Sequence, residues 1–159
     1  MGFNITFKDV ELVKSLDIYN TCVPSSINSI SIVVNELINN LQNGYGDIND
    51  NTLFELKVIL NEVLINAVRH GNMEDEKKIV KVNACVSGQD VMFITVEDEG
   101  GGYDFRDTCS CNKPFCSIFD PLETSESGRG IMIVRSLSDK VKVNAKGNKI
   151  VIAKSIARV

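Results

Sequence analysis

Residues 61–71 read Asn61-Glu62-Val63-Leu64-Ile65-Asn66-Ala67-Val68-Arg69-His70-Gly71. Leu53, Leu56, Ile59, Leu60, Val63, Leu64, Ala67 and Val68 recur at helical spacing. This predicts one helix from about Thr52 to His70, stopped by Gly71. A helix apolar on most of its circumference is buried on several sides, so its polar residues need a reason. Glu62 and Asn66 are four apart and share a face, with Arg69 three further on along that side. An amide oxygen is a hard ligand for Mg²⁺. A carboxylate can take a proton or orient a nucleophile. With a guanidinium beside them, the three suit a magnesium–phosphate group. An ordinary polar pair on a solvated stripe has the same spacing.

Working outward, Pro24-Ser25-Ser26 signals a helix start, and Ile27, Ile30, Val34, Leu37, Ile38 and Leu41 continue it to about Asn43-Gly44. Residues Leu12 to Cys22 before it suit a short first strand. After Gly71, Ile79–Ser87 and Val91–Glu97 alternate as two strands around Gly88-Gln89-Asp90, a hairpin. Residues 99–128 carry glycines, Pro114, Pro121 and little periodicity. A loop that long inside a compact domain is usually a lid or disordered. Ile131–Leu137 reads as a third helix, and Val141–Ala145 with Lys149–Ile156 as a closing hairpin around Gly147-Asn148. Helices on one face of a mixed, mostly antiparallel sheet make an α+β two-layer sandwich.

Two further segments bear on chemistry. Val96-Glu97-Asp98-Glu99-Gly100-Gly101-Gly102 runs from a strand into glycines, where backbone approaches a ligand closely. Asp98, at the strand end, can accept a hydrogen bond from an exocyclic amine; a glycine turn with an acidic lead-in looks the same. Ser125-Glu126-Ser127-Gly128-Arg129-Gly130 precedes the third helix. A Gly-x-Gly opening a helix points free N–H groups at a phosphate, and the helix dipole favours the anion. No Walker A, Rossmann or protein-kinase pattern is present.

The chain has 159 residues, 43% of them apolar, enough for one domain with a real core. Five cysteines cannot close into a full disulfide set, and the default is a reducing cytoplasm. Residues 1–128 hold nine basic against twenty acidic side chains, and residues 129–159 eight against one. The acidic body argues against nucleic acid as a partner. The basic tail reads as a lysine-edged strand pair or a phosphate face. No apolar run is long enough for a membrane helix. Met1-Gly2 with Thr6 has myristoylation spacing, a short match that arises by chance. Cys109, Cys111 and Cys116 lie together in the long loop, one thiolate short of a zinc set. His70 is the single histidine, so any histidine chemistry must use it; its place before Gly71 suits a helix end.

Taken in order, a helix with Glu62 and Asn66, a strand with Asp98-x-Gly100-x-Gly102, a long loop and Gly128-x-Gly130 resemble the ATP-binding module of the GHKL superfamily, the Bergerat-type ATPase fold of gyrase, MutL and histidine kinases. Residues 61–71, Asp120-Pro121-Leu122, Ser127-Gly128-Arg129-Gly130-Ile131 and Ser138-Asp139-Lys140-Val141 are most similar to the small anti-sigma-factor serine/threonine kinases of bacterial sporulation and stress response. The resemblance implies a single histidine-kinase-like ATP-binding domain over residues 1–159, with a lid at about 103–127. It implies that Glu62 is the general base and that Asn66 holds Mg²⁺. Asp98 would bind the adenine amino group beside Gly100 and Gly102. Ser127, Gly128, Arg129 and Gly130 would form the phosphate turn, with Arg69 near phosphate. It further implies ATP and Mg²⁺ as cofactors and a cytoplasmic homodimer. Its partners would be a sigma factor to sequester and an anti-sigma antagonist of the STAS type to phosphorylate, with no nucleic acid and no membrane. Two alternatives stay open: an ATP-binding anti-sigma or adaptor module without catalysis, and a stand-alone catalytic domain acting on a phosphoacceptor partner.

Overall fold

The computed structural model describes residues 15–101 and 126–159. Strand β1 spans Ser15–Pro24, helix α1 Ile27–Gly44 and helix α2 Asp50–Ile65. A π-helical segment, Asn66–Gly71, continues α2. Strands β2 (Ile79–Ser87) and β3 (Val91–Asp98) follow, then helix α3 (Glu126–Leu137) and strands β4 (Lys140–Val143) and β5 (Lys149–Ser155). The expected α+β two-layer architecture is present. The five strands lie in the order β1-β2-β3-β5-β4. Every pairing is antiparallel, so no mixed register occurs in this sheet.

The sheet buries one row of side chains against the helices. Val80, Val82, Ala84 and Val86 of β2, Met92, Ile94 and Val96 of β3, and Ile150 and Ile152 of β5 join the core. They meet Val33, Leu37 and Leu41 of α1, Leu56, Ile59, Leu60 and Leu64 of α2, and Ile131 and Val134 of α3. Ser26 caps α1, its hydroxyl accepting from Asn28 N–H at 3.3 Å. Asn49 caps α2 through Asn51 N–H at 2.8 Å. Such caps satisfy backbone donors that the first turn leaves open.

Two helices depart from the periodic reading. The run expected as one α-helix to His70 changes to i→i+5 bonding after Ile65, with Asn72 N–H donating to Ala67 O at 2.8 Å. Single π turns inside helices recur at functional sites. Helix α3 begins at Glu126, five residues before the apolar periodicity starts at Ile131. Gly128 and Gly130 therefore lie within the first turns of α3 rather than in a loop ahead of it.

Lys154, on the inner face of β5, is almost fully buried. Its ammonium donates to Leu137 O at 2.7 Å and pairs with Glu55 at 2.6 Å. One lysine thus closes the C-terminus of α3, where the dipole favours a cation, and ties it to α2.

Candidate functional site

A cleft of about 460 Å³, measured to its open mouth, lies between the end of α2, the end of β3, the start of α3 and the β4–β5 turn. Val63, Ala67, Val96, Ile131 and Ile150 give it apolar walls, and Asn66, His70, Asp98, Asn148 and Lys149 bring the polar groups.

At one end, α2 and its π segment abut the strand exit of β3. A methyl group on Gly71 would collide with the Asp98 carboxyl, and one on Gly100 with the backbone of Gly71. Only glycine at both positions lets the two chains touch. Asp98 Oδ1 accepts from Gly100 N–H at 2.8 Å. Burial pushes the Asp98 carboxyl above the usual aspartate range. The Gly100 N–H and the more distant Lys146 and Lys78 partly oppose this. From the far side, Asp98 N–H donates to Asn148 O and Asn148 Nδ2 donates to Asp98 O, both at 2.9 Å. Asn148 is held in turn by Asn144 Nδ2, donating to its Oδ1 at 2.8 Å.

At the other end, Glu62 and Asn66 face the first turns of α3. A Cβ placed on Gly130 would strike the Glu62 carboxylate and lie 3.7 Å from Asn66 Nδ2. Glu62, Asn66 and Gly130, from two distant segments, therefore meet around one point beside the cleft, which Asn66 and Asp98 both line. A hard divalent cation carried by a polyphosphate needs only one or two protein oxygens and keeps several waters. The Asn66 carboxamide on the cleft wall fits that demand.

Other expected residues fall elsewhere. Arg69 is half exposed and pairs through Nε with Glu74 at 3.2 Å, and it does not line the cleft. The π turn adds a residue to the cycle and breaks the spacing that aligned Arg69 with Asn66. Arg129 is exposed. Ser127 and Gly128 belong to the first turn of α3. Gly102, the expected lid at 103–127 up to α3, Cys109, Cys111, Cys116 and the Met1-Gly2 motif lie outside the described residues. Asn148, in the closing hairpin, bonds the Asp98 backbone, and Asn72, just past the end of the helical pattern, is the site element that sequence reasoning misses. Asn72 is wholly buried, its Nδ2 donating to Ile79 O at 2.9 Å and its Oδ1 accepting from Glu99 N–H at 2.8 Å.

Comparison with known proteins shows the family. The family described as "Histidine kinase-like ATPase domain" matches residues 15–154. The anti-sigma F factor of Clostridium perfringens is 31% identical over 111 residues, covering 65% of this chain and 73% of that protein. The serine-protein kinase RsbW of Bacillus velezensis is 26% identical over 122 residues, covering 77% and 72%. Among solved structures, the RsbU and RsbW domains of a Mycobacterium tuberculosis protein superpose with a TM-score of 0.60 at 16% identity. That match covers 89% of this chain and 33% of the other, so this chain spans a third of its length. No helix among the described residues is long and apolar enough to cross a membrane. With a family match over nearly all of its length and the cleft assembled as described, the chain belongs to the histidine kinase-like ATPase domain family.

Proposed function

We propose that this protein is an ATP-dependent serine/threonine kinase that binds a sigma factor as a homodimer in the cytoplasm and phosphorylates a small anti-sigma antagonist of the STAS type. One observation carries the reading: a single cleft is lined both by an aspartate fit to accept from an exocyclic amine and by the Asn66 carboxamide, beside which the Glu62 carboxylate meets Gly130. The names of the matching relatives, anti-sigma F factor and serine-protein kinase, support it.

In this reading Asp98 accepts from the adenine amino group while Val96, Ala67 and Ile150 cover the base. The Asn66 carboxamide oxygen holds Mg²⁺, which when bound offsets phosphate charge. Ser127, Gly128, Arg129 and Gly130 would form the phosphate turn, and Gly100 with Gly102 would let the chain pass the base and sugar. Glu62 takes the proton of the attacking serine hydroxyl. The serine oxygen forms the new bond to the γ-phosphorus as the bond to the β-phosphate oxygen breaks, and ADP leaves. Catalysis of this kind is mostly positioning and charge stabilisation.

The test is transfer from radiolabelled ATP to a purified anti-sigma antagonist of the STAS type. Label stable to acid is expected, as for phosphoserine. The Glu62→Gln variant should retain nucleotide affinity within about threefold and lose at least a hundredfold in transfer, the usual scale for a general base. Normal turnover by that variant refutes the base assignment. Nucleotide binding without transfer by the unsubstituted protein would leave an ATP-binding adaptor, and acid-labile label would indicate a histidine-bearing partner.

A further inference from the structure

We infer that Asn72 is a positioning residue for base recognition, holding the peptide after Asp98 so that one carboxylate oxygen stays aimed at the exocyclic amine. The inference rests on the reading of Asp98 given above. Four bonds fix the neighbourhood of this carboxyl. The Asn148 pair secures the backbone N–H and C=O of Asp98 itself. The next peptide lies past the strand end, and Asn72 Oδ1 holds its N–H, that of Glu99. With that peptide set, Gly100 N–H reaches Asp98 Oδ1 and commits that oxygen, leaving Oδ2 for a ligand amine.

The Asn72 amide has no solvent to fall back on, and both its ends bond backbone. Its Nδ2 anchors to Ile79 O at the start of β2, and Ile79 N–H in turn donates to the Glu99 carboxylate at 2.7 Å. The Val80↔Asp98 register places Ile79 beside Glu99. Asn72 and Glu99 thereby close a ring around Ile79 that resists rotation of the 98–100 segment. Asn72 also follows directly on Gly71, whose backbone Gly100 touches, so it locks the contact between the π segment and β3. A buried amide bonded at both of its ends favours one arrangement of its neighbours.

Titration calorimetry with ATP and with purine riboside triphosphate, which lacks the amino group, separates positioning from mere support. The unsubstituted protein should prefer ATP by about tenfold or more, the scale of a hydrogen bond to a charged acceptor. In Asn72→Ala the preference should shrink to roughly threefold or less, with affinity for the amine-free analogue little changed. Loss of both affinities in equal ratio, with the ATP preference intact, overturns the inference and leaves Asp98 in place. No preference in the unsubstituted protein removes the Asp98 reading and this inference with it. A second measurement needs no substitution. Glu99 N–H should exchange with deuterium as slowly as the β3 ladder amides, and exchange at exposed-loop rates would likewise overturn the proposal.

Discussion

Asp98 accepts a backbone N–H and sits against Gly71, yet burial still raises its pKa. For an acid with a raised folded-state pKa, the folded chain holds the proton more tightly than the unfolded one. Stability therefore falls as pH climbs from the ordinary aspartate range through the raised value, and it stays lower above. Ionised Asp98 is a cost to the fold and an asset to the site. Asp98→Asn should melt higher than the parent at neutral pH while binding ATP about ten- to a hundredfold more weakly. The parent's ATP affinity should decline on acidification through the raised pKa, and the variant's should not. Thermal melts and calorimetry across pH check both. An unchanged affinity would remove Asp98 from base recognition. At this scale the sequence was legible where chemistry and spacing coincide: Glu62 and Asn66 share a face because α-helical phase holds as far as Ile65. Asn72 was not legible, because a buried asparagine beyond a helix end carries no periodic signal. Its meaning lies in Ile79 and Glu99, which only tertiary structure brings near.

Elements explain what residue spacing could not. The π segment has no composition of its own, so Asn61 to Gly71 reads as plain α-helix, and Arg69 lands against Glu74 instead of beside Asn66. Helix α3 was foreseen from Ile131, since Glu126 to Gly130 offers no apolar face to detect. Placing Gly130 inside that helix has a measurable result. Alanine is better than glycine in a helix by about 0.5–1 kcal/mol. The one obstacle to the new methyl is the end of a flexible carboxylate, that of Glu62. Gly130→Ala should thus keep or slightly raise the melting temperature while phosphoryl transfer falls at least about tenfold through displacement of the base. Parallel melting curves and transfer assays separate the two. Loss of stability with normal specific activity would mean that Gly130 serves packing alone.

In the whole molecule, the strand pairs β2–β3 and β4–β5 were visible as local hairpins around Gly88-Gln89-Asp90 and Gly147-Asn148. The insertion of β5 between β3 and β4 was not, because alternation reveals a strand's faces and not its neighbours. That order makes the cleft possible, since it sets the β4–β5 turn beside the exit of β3. The lysine-bearing β4 occupies one edge, Lys140 and Lys142 discouraging further pairing. Part of the basic excess of residues 129–159 thus guards a sheet edge, while Lys149 reaches the cleft.

The Asp98–Asn148 bond joins residues fifty apart and belongs to the β3–β5 seam. Contacts that distant, like those of the β1–β2 pair, close long loops and form after the local β2–β3 hairpin. A nucleotide spanning that seam finds no site in the transition state for folding. Refolding rates should therefore be indifferent to ATP, whereas unfolding should slow in proportion to occupancy. Stopped-flow chevrons with and without ATP read this directly, and a refolding limb accelerated by ATP would contradict it. The kinetic lifetime of the native chain then follows the cell's ATP level, the seam opening more often when nucleotide runs low.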